Sequence, residues 1–358
     1  MKRRNFLAGS AALPAAATLF SPAVARAEAK VRWRMPSSFP SSLQTIHGGA
    51  VRMAERVEQL TDGAFVIQTY AAGELVPPLG VLEAVQTGTT EAGFTPGFFY
   101  VGKKPALSLD AGVPFGMTPR QHFAWFHHGG GRELLAEVYD AFNIVSVPAG
   151  NTGAQMGGWF HKPVEQISDL EGLRIRAAGY VGFVFSQLGA VPQQIAVGDL
   201  YSAMERGTLD AVEFTSPIDD ETLGLNKVAK YYYSPGILEL GASLNTMINK
   251  DAYADLPEPY KIALQTSCAW SYSDMLARYD SLNVAALRRL VAGGTELRAW
   301  SPEIKGAMRA AADKLFAEQS EADPDFKRIY AHWKSFLDDQ LRWMSVNDGA
   351  AANYLQNG

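Results

Sequence analysis

The chain has 358 residues, 47% hydrophobic and 19% charged, so it holds enough apolar material for a sizeable core and is not globally disordered. Thirty-two Lys and Arg against 37 Asp and Glu give a net charge of −5, which excludes the broad basic face of a sequence-independent nucleic-acid binder. One cysteine, Cys268, excludes an intrachain disulfide and a cysteine-rich metal cluster, and the length suggests about two domains.

Residues 1–27 read as an export signal. A basic head, Lys2, Arg3 and Arg4, precedes an Ala/Leu/Phe-rich stretch to Phe20, and Ala25-Arg26-Ala27 offers a small-x-small cleavage site. Arg3-Arg4 before Phe6-Leu7 has the form of a twin-arginine signal. The apolar stretch is broken by Pro14 and is shorter than the ~20 residues a span needs. Cleavage removes four basic residues and no acid, leaving 331 residues and moving the net charge from −5 to −9.

Val31, Trp33 and Met35 alternate with Arg32 and Arg34, which predicts a strand. Leu43, Ile46, Ala50, Met53, Val57 and Leu60 then recur at spacings of three and four, the pattern of an amphipathic helix. A strand over 64–70, a helix over 79–86 and a short strand over 92–95 complete a β-α-β-α-β series, which predicts parallel strands with helices packed on them. A second series follows. It has strands over 143–148, 155–160 and 173–177, helices over 181–188 and 200–206, and a strand over 209–214. Two such series suggest two lobes with a cleft between them. The last third is helical by periodicity over 257–292 and 302–344. In it Ile262, Leu264, Trp270, Met275, Leu276, Leu282, Leu287 and Leu290 are expected to face both lobes. Gly129-Gly130-Gly131 is expected to be a tight helix–helix turn.

No G-x-S-x-G, H-E-x-x-H, C-x-x-C or G-x-G-x-x-G occurs. Gly97 to Lys103 approaches a P-loop but is followed by Lys104 where Ser or Thr should hold Mg²⁺. His127 and His128 are neighbours that point apart on a helix, and Cys268 is expected to be a buried small hydrophobe. Asp219-Asp220-Glu221 and Asp338-Asp339 read as solvated helix termini. An exported two-lobed α/β protein with no catalytic signature reads as a ligand receptor rather than an enzyme.

Several stretches then carry a resemblance. They are Tyr100-Val101-Gly102-Lys103, Val113-Pro114-Phe115-Gly116, Trp125 through Gly131, Gly150 through Phe160, Asp169 through Arg176, Val191 through Ile195, and Leu223-Gly224 through Tyr233. In this order, across nearly all the mature chain, they resemble the solute-binding proteins of tripartite ATP-independent periplasmic (TRAP) transporters. They are most similar to the branch that binds 2-oxo and 2-hydroxy acids with a metal ion. The resemblance implies a periplasmic binding protein type II-like fold, two α/β lobes around a ligand cleft with long C-terminal helices. It implies lobe I over 28–149 and 242–290, lobe II over 150–241 and 291–330, and a C-terminal helix and tail over 331–358. It also implies a periplasmic location in a Gram-negative cell, small and large TRAP membrane subunits as partners, and a homodimer through C-terminal helices that carry Trp333, Phe336, Leu337, Leu341 and Trp343.

Residue by residue, Arg176 matches the ligand-carboxylate arginine, whose planar fork suits a carboxylate. Gln155 and Glu213 match positions for ligand and metal, Phe214 follows with a backbone carbonyl, and Glu239 matches a further metal position. These hard oxygen donors suit Na⁺ or Ca²⁺. Tyr100 matches a cleft tyrosine able to bond the ligand, or packs with Phe98 and Phe99. Arg174 is either a surface partner or a second ligand contact. Three departures bear on the ligand. Phe214 stands for the family's Trp, Thr215-Ser216-Pro217 for V-G-P, and Ile237-Leu238 for an aromatic pair, with Leu240 in place of a glycine. Losing large aromatics predicts a 2-oxo acid bulkier or more branched than pyruvate. The alternatives are a metal-independent receptor for a C4-dicarboxylate or aromatic acid, an exported lyase or isomerase on the same scaffold, and a sensor input subunit.

Overall fold

The computed structural model describes residues 31–357, so the export signal expected at 1–27 lies outside the described residues. In chain order the strands are β1 (Val31–Pro36), β2 (Phe65–Tyr70), β3 (Ala92–Thr95), β4 (Ile144–Asn151), β5 (Gly158–Phe160) and β6 (Arg174–Arg176). They continue with β7 (Val191–Gln193), β8 (Ala211–Val212), β9 (Tyr231–Ser234), β10 (Ser243–Asn249) and β11 (Glu296–Ala299). β1 and β2 pair in parallel, a bridge between Ser37 and Phe94 joins them to β3, and β10 lies antiparallel between β3 and β4. The second sheet has the order β11-β9-β5-β8-β6-β7. Its β11–β9, β8–β6 and β6–β7 pairs are parallel, and β5 is antiparallel to both neighbours.

The parallel expectation holds from β1 to β3 and fails at β5 and β10, and these exceptions have one cause. The chain crosses between the sheets from β4 to β5 and returns from β9 to β10. The first strand after each of these two crossings inserts into the middle of a sheet and runs against both its neighbours, whereas a third crossing, through the helix Glu258–Ala292, adds β11 at the edge, parallel to β9. Two strands are also shorter than their periodicity predicts. β5 begins at Gly158, not 155, and β8 ends at Val212, not 214. The residues released, 155–157 and 213–214, leave the ladder at the place where the lobes meet.

The helix Ile46–Leu60 buries Ile46, Ala50, Met53 and Val57 on the predicted face. The helix Glu258–Ala292, 35 residues and about 52 Å long, packs on Ile46–Leu60 and β4 of one lobe and on the helix Pro217–Thr222 of the other. Its buried face differs from the expected one. Leu264, Met275, Leu290 and Cys268 are buried as expected, but Ile262, Trp270 and Leu282 are exposed, while Ser267, Ser271 and Tyr272 are buried. The small side chains let the helix come close, and polar groups are matched across the contact. Tyr272 Oη donates to Pro119 O and accepts from Asn151 Nδ2, both at 2.9 Å.

The helical region after residue 302 divides into Pro302–Ala322 and Pro324–Val346. At the break the Asp323 carboxylate accepts from the N–H groups of Asp325 and Phe326, and Pro324 opens the second helix. The first of these helices packs on Gly179–Gln187 in the β6 lobe. The second packs on Pro105–Asp110, Pro119–His128 and Gly131–Asp140 in the β1 lobe. Gly129–Gly131 makes the expected turn, with Gly130 at φ +84°. Trp333 and Leu337 are buried against the protein's own lobe, whereas Leu341 and Trp343 are exposed and Asp348–Asn357 buries nothing.

Candidate functional site

Where the lobes meet, a cavity encloses about 400 Å³, part of it open to solvent. Phe39, Ile46, Phe98 and Phe99 line it from the β1 side, and Arg176, Ala178, Val181, Glu213, Phe214 and Thr215 from the β6 side. Thr152, Gln155, Glu239 and Ala242 line it from the two crossovers. Arg176 ends β6, and Glu213 follows β8, its parallel neighbour. Polar groups at the carboxyl ends of parallel strands face the crevice where α/β proteins bind ligands. The lobes touch around this cavity. Gln194 Nε2 donates to Phe99 O at 3.1 Å, Tyr180 Oη to Pro105 O at 3.4 Å, and the Thr45 hydroxyl to the Asp219 carboxylate.

Arg176 is 2% exposed. Its Nη1 donates to Glu213 O at 2.7 Å, and the Phe214 ring lies 5.5 Å from Cζ. Its Nε is buried with no partner, and among the described residues no carboxylate lies within ion-pair distance of it. Burial pulls this guanidinium below its ordinary pKa, against the opposing charges of Glu213 and Asp220. A buried cation with a donor to spare is held ready for an anion from outside the chain.

The facing wall is built of oxygens. The crossovers run side by side, with Thr152 N donating to Ala242 O at 3.1 Å, Gln155 N to Glu239 O at 3.3 Å and Gly236 N to Gln155 O at 3.0 Å. A Cβ on Gly236 would stand 2.5 Å from Gln155 O, so glycine is needed for this approach. Gln155 brings its amide to within 3.0 Å of Glu213 Oε1 and 2.7 Å of Phe214 O. Glu239 is buried beside them with Oε1 unpartnered, and a Cβ on Gly112 would stand 2.0 Å from that atom. Burial pushes Glu213 up to about 8, opposed by Arg176 and reinforced by Asp220. Burial, then the charge of Glu213, pushes Glu239 well above the carboxylate range. An amide, a backbone carbonyl and two carboxyls, one with an orphaned oxygen, fit a hard cation, and their chemistry suits Na⁺ or Ca²⁺ rather than a soft metal.

Gln155, Arg176, Glu213, Phe214 and Glu239 thus share one cavity. Tyr100 does not line it. Its hydroxyl accepts from Leu82 N at 3.2 Å and bonds Thr95 Oγ1 at 3.0 Å, while Phe98 and Phe99 take the wall. Arg174 is the surface partner. It makes a two-pronged pair with Asp210 at 2.6 and 2.8 Å, outside the cavity. Replacing Arg174 by Ala is expected to change ligand affinity less than twofold and to leave the melting temperature nearly unchanged, because an exposed ion pair is screened by solvent, which calorimetry and thermal melting measure.

The acidic pair Asp219-Asp220 is a correction. Both residues are 1% exposed, not solvated. Asp220 accepts from Trp159 Nε1 at 2.9 Å and Tyr232 Oη at 2.7 Å, and Asp219 accepts from the hydroxyls of Thr45 and Tyr279. The sequence reading missed Thr152, Thr215 and Ala242 in the wall. Thr152 lies inside the Gly150–Phe160 stretch, but no property of that stretch distinguishes it.

The profile of the bacterial extracellular solute-binding proteins of family 7, DctP, matches residues 37–323. A monocarboxylate 2-oxoacid-binding periplasmic protein from Nostoc sp. is 43% identical over the full length of both chains. A TRAP transporter solute-binding protein from Bordetella bronchiseptica is 47% identical, covers 92% of this chain and 98% of its own, and superposes with a TM-score of 0.90. It was solved as a mixed-occupancy dimer, with copurified calcium and picolinate in one active site and the other apo. A TRAP periplasmic solute-binding protein from Pseudoalteromonas atlantica, with bound sodium and pyruvate, is 33% identical over 92% of this chain and 99% of its own, with a TM-score of 0.88.

Proposed function

This chain belongs to the DctP family of bacterial extracellular solute-binding proteins, the receptors of TRAP transport, and from that membership we propose that its cleft captures a 2-oxo acid, or the matching 2-hydroxy acid, together with Na⁺ or Ca²⁺. Arg176 takes the ligand carboxylate. Gln155, Glu213, the Phe214 carbonyl and Glu239 hold the cation. What carries the reading is the Gln155 amide, which stands 3.0 Å from Glu213 Oε1 and 2.7 Å from Phe214 O, beside a guanidinium with an unpartnered Nε. One guanidinium against two ionised carboxylates and a ligand carboxylate leaves two negative charges in one buried cleft. A divalent cation cancels both, and Na⁺ cancels one. Pyruvate and picolinate, bound by the Pseudoalteromonas and Bordetella proteins, each offer a carboxylate oxygen and an adjacent donor atom, the pair that chelates a cation.

The receptor releases its ligand unchanged to the membrane subunits with which TRAP solute-binding proteins work, and it does so in the periplasm. Among the described residues no helix is long and apolar enough to cross a membrane. Lobe I spans 28–149 and 242–290 and lobe II spans 150–241 and 291–330, which agrees with the division of strands between the two sheets. Tyr100 backs the wall from behind Phe99. A homodimer through the C-terminal helices would cover Leu341, Trp343, Tyr354 and Leu355, each more than half exposed.

Calorimetry with pyruvate, 3-methyl-2-oxobutanoate, 4-methyl-2-oxopentanoate, picolinate and succinate, each in Ca²⁺, in Na⁺ and in chelator without Na⁺, tests this reading. The 2-oxo acids are expected to bind only with a cation, the branched ones more tightly than pyruvate, and succinate weakly or not at all. Pyruvate affinity well above every branched acid would remove the size argument. Indifference to both ions would remove the cation. A ligand chemically altered after long incubation would make the protein an enzyme.

A further inference from the structure

We propose that the Thr152 hydroxyl is a positioning residue for the cation, holding the Gln155 amide in either of two settings according to whether the ion is bound. The proposal rests on the reading that places a cation among Gln155, Glu213 and Phe214.

Both side chains are buried, Thr152 at 1% and Gln155 at 5% exposure. A half-turn of the amide exchanges its oxygen and nitrogen in the same space, and the two orientations take different partners. In one, Nε2 donates to Thr152 Oγ1 at 3.0 Å, and Thr152 passes its own proton to Gly153 O at 3.1 Å. Gln155 Oε1 then faces Glu213 Oε1 and Phe214 O. Gln155 Oε1 and Phe214 O, 2.7 Å apart, are acceptors whatever the state of Glu213, which joins them when ionised, and without a positive charge among them their lone pairs repel. In the other setting Nε2 points the opposite way. It donates to Glu213 Oε1 at 3.0 Å and Phe214 O at 2.7 Å, and Thr152 Oγ1 donates to Gln155 Oε1 at 3.0 Å. The first setting offers an oxygen to a cation. The second lets the amide's own N–H groups stand where the cation would.

Only a group that both donates and accepts serves both settings. A hydroxyl does so by rotating one proton. In each setting Thr152 Oγ1 also accepts from Ala242 N at 3.1 Å, a residue of the return crossover. The pivot of the amide is thereby fixed to two of the chain segments that join the lobes, the β4–β5 and β9–β10 crossovers. Arrival of the cation turns one amide and one hydroxyl, and the crossovers need not move.

The test is calcium binding in the absence of any organic ligand, by calorimetry, on wild type, Thr152→Val and Thr152→Ser, together with the Gln155 side-chain amide resonance, assigned by its loss in Gln155→Met. In wild type, calcium is expected to shift that resonance. Thr152→Ser should bind as wild type does. Thr152→Val should lose about tenfold or more in calcium affinity, the range for removing a group that orients a metal ligand. Its melting in chelator reports that it is folded. If Val prevents folding, Thr152→Cys, a weak donor and acceptor, takes its place with the same expected loss. Wild-type calcium affinity in the Val or Cys variant, or equal losses in Ser and Val, would overturn the proposal. Wild type that binds neither Ca²⁺ nor Na⁺ would overturn the cation reading itself, and the wild-type titration alone reports that.

Discussion

Arg176→Ala is expected to abolish measurable 2-oxo acid binding while the protein stays folded. Truncating one partner of a buried, hydrogen-bonded charge pair costs about 2–5 kcal/mol, or roughly thirty- to several-thousand-fold in affinity. The upper half applies here, because Arg176 is 2% exposed and Glu213 and Glu239 share its cavity. Without the guanidinium a ligand carboxylate meets two carboxyls and only the cation to offset them. Stability should change far less. The substitution loses the 2.7 Å bond to Glu213 O and the contact with Phe214, but it also removes a buried cation that has no ion-pair partner among the described residues. Arg176→Lys separates charge from shape. A point charge without the planar fork should recover part of the affinity but not all of it. Calorimetry gives the affinities and a chelator-treated melt the stability. Tight binding retained in Arg176→Ala would show that another group holds the carboxylate.

How much of this was legible in the sequence depended on whether a residue's partners are local. β1 and the helix Ile46–Leu60 each bury one face, so alternation and three-four spacing located them. β10 escaped notice although it is the central strand of its sheet. Every residue from Ser243 to Asn249 is buried, so there is no alternation, and four of the seven are Ser, Thr or Asn. The helix Glu258–Ala292 was recognisable, but its face was not. Ser267 and Ser271 are buried because the helix packs closely on β4 and on the helix Ile46–Leu60, where the Ser271 hydroxyl donates to Gly49 O at 3.3 Å, and Trp270 is left outside. Asp219 and Asp220 looked solvated because their donors, Thr45, Trp159, Tyr232 and Tyr279, lie far off in the chain.

The site divides in the same way. Arg176, Gln155, Glu213 and Glu239 could be singled out only by resemblance, since no spacing relates residues on two crossovers and two strand ends. Their convergence is a property of topology. β4–β5 and β9–β10 are two of the three connections between the sheets, the third being the helix Glu258–Ala292, and β6 and β8 are neighbours within one. Tyr100 shows the limit of a motif match. A 3-10 turn over Gly97–Tyr100 aims Phe98 and Phe99 at the cavity and turns the tyrosine hydroxyl toward Thr95 and Leu82.

The second large effect is on stability, and its sign follows from the direction of the carboxyl shifts. In the ion-free protein Glu213 is raised from 4.5 to about 8, chiefly by burial, and burial also holds Glu239 well above the carboxylate range. Between those values the unfolded chain has already lost a proton that the native state keeps. The native state therefore loses ground as pH rises, by ~1.4 kcal/mol per unit for each such group. The penalty is absent below about 4.5 and, for Glu213, complete above about 8. A cation that takes the proton's place removes it, so calcium should bind more tightly as pH rises across this interval. The melting-temperature gap between calcium and chelator is expected to widen steadily from pH 5 to pH 8. Asp219 and Asp220, raised by burial to about 6 and about 7, titrate in the same window. Asp219, not coupled to the cation's oxygens, tilts both curves alike and cancels in the difference, whereas Asp220, whose charge raises Glu213, adds to the widening. Glu213→Gln removes one group's slope. In chelator it should melt near wild type at pH 5 and above it at pH 8, and its calcium gap should be smaller throughout. A gap that does not change with pH, or a Glu213→Gln variant that keeps the full wild-type gap, would show that the cation does not displace a proton from Glu213.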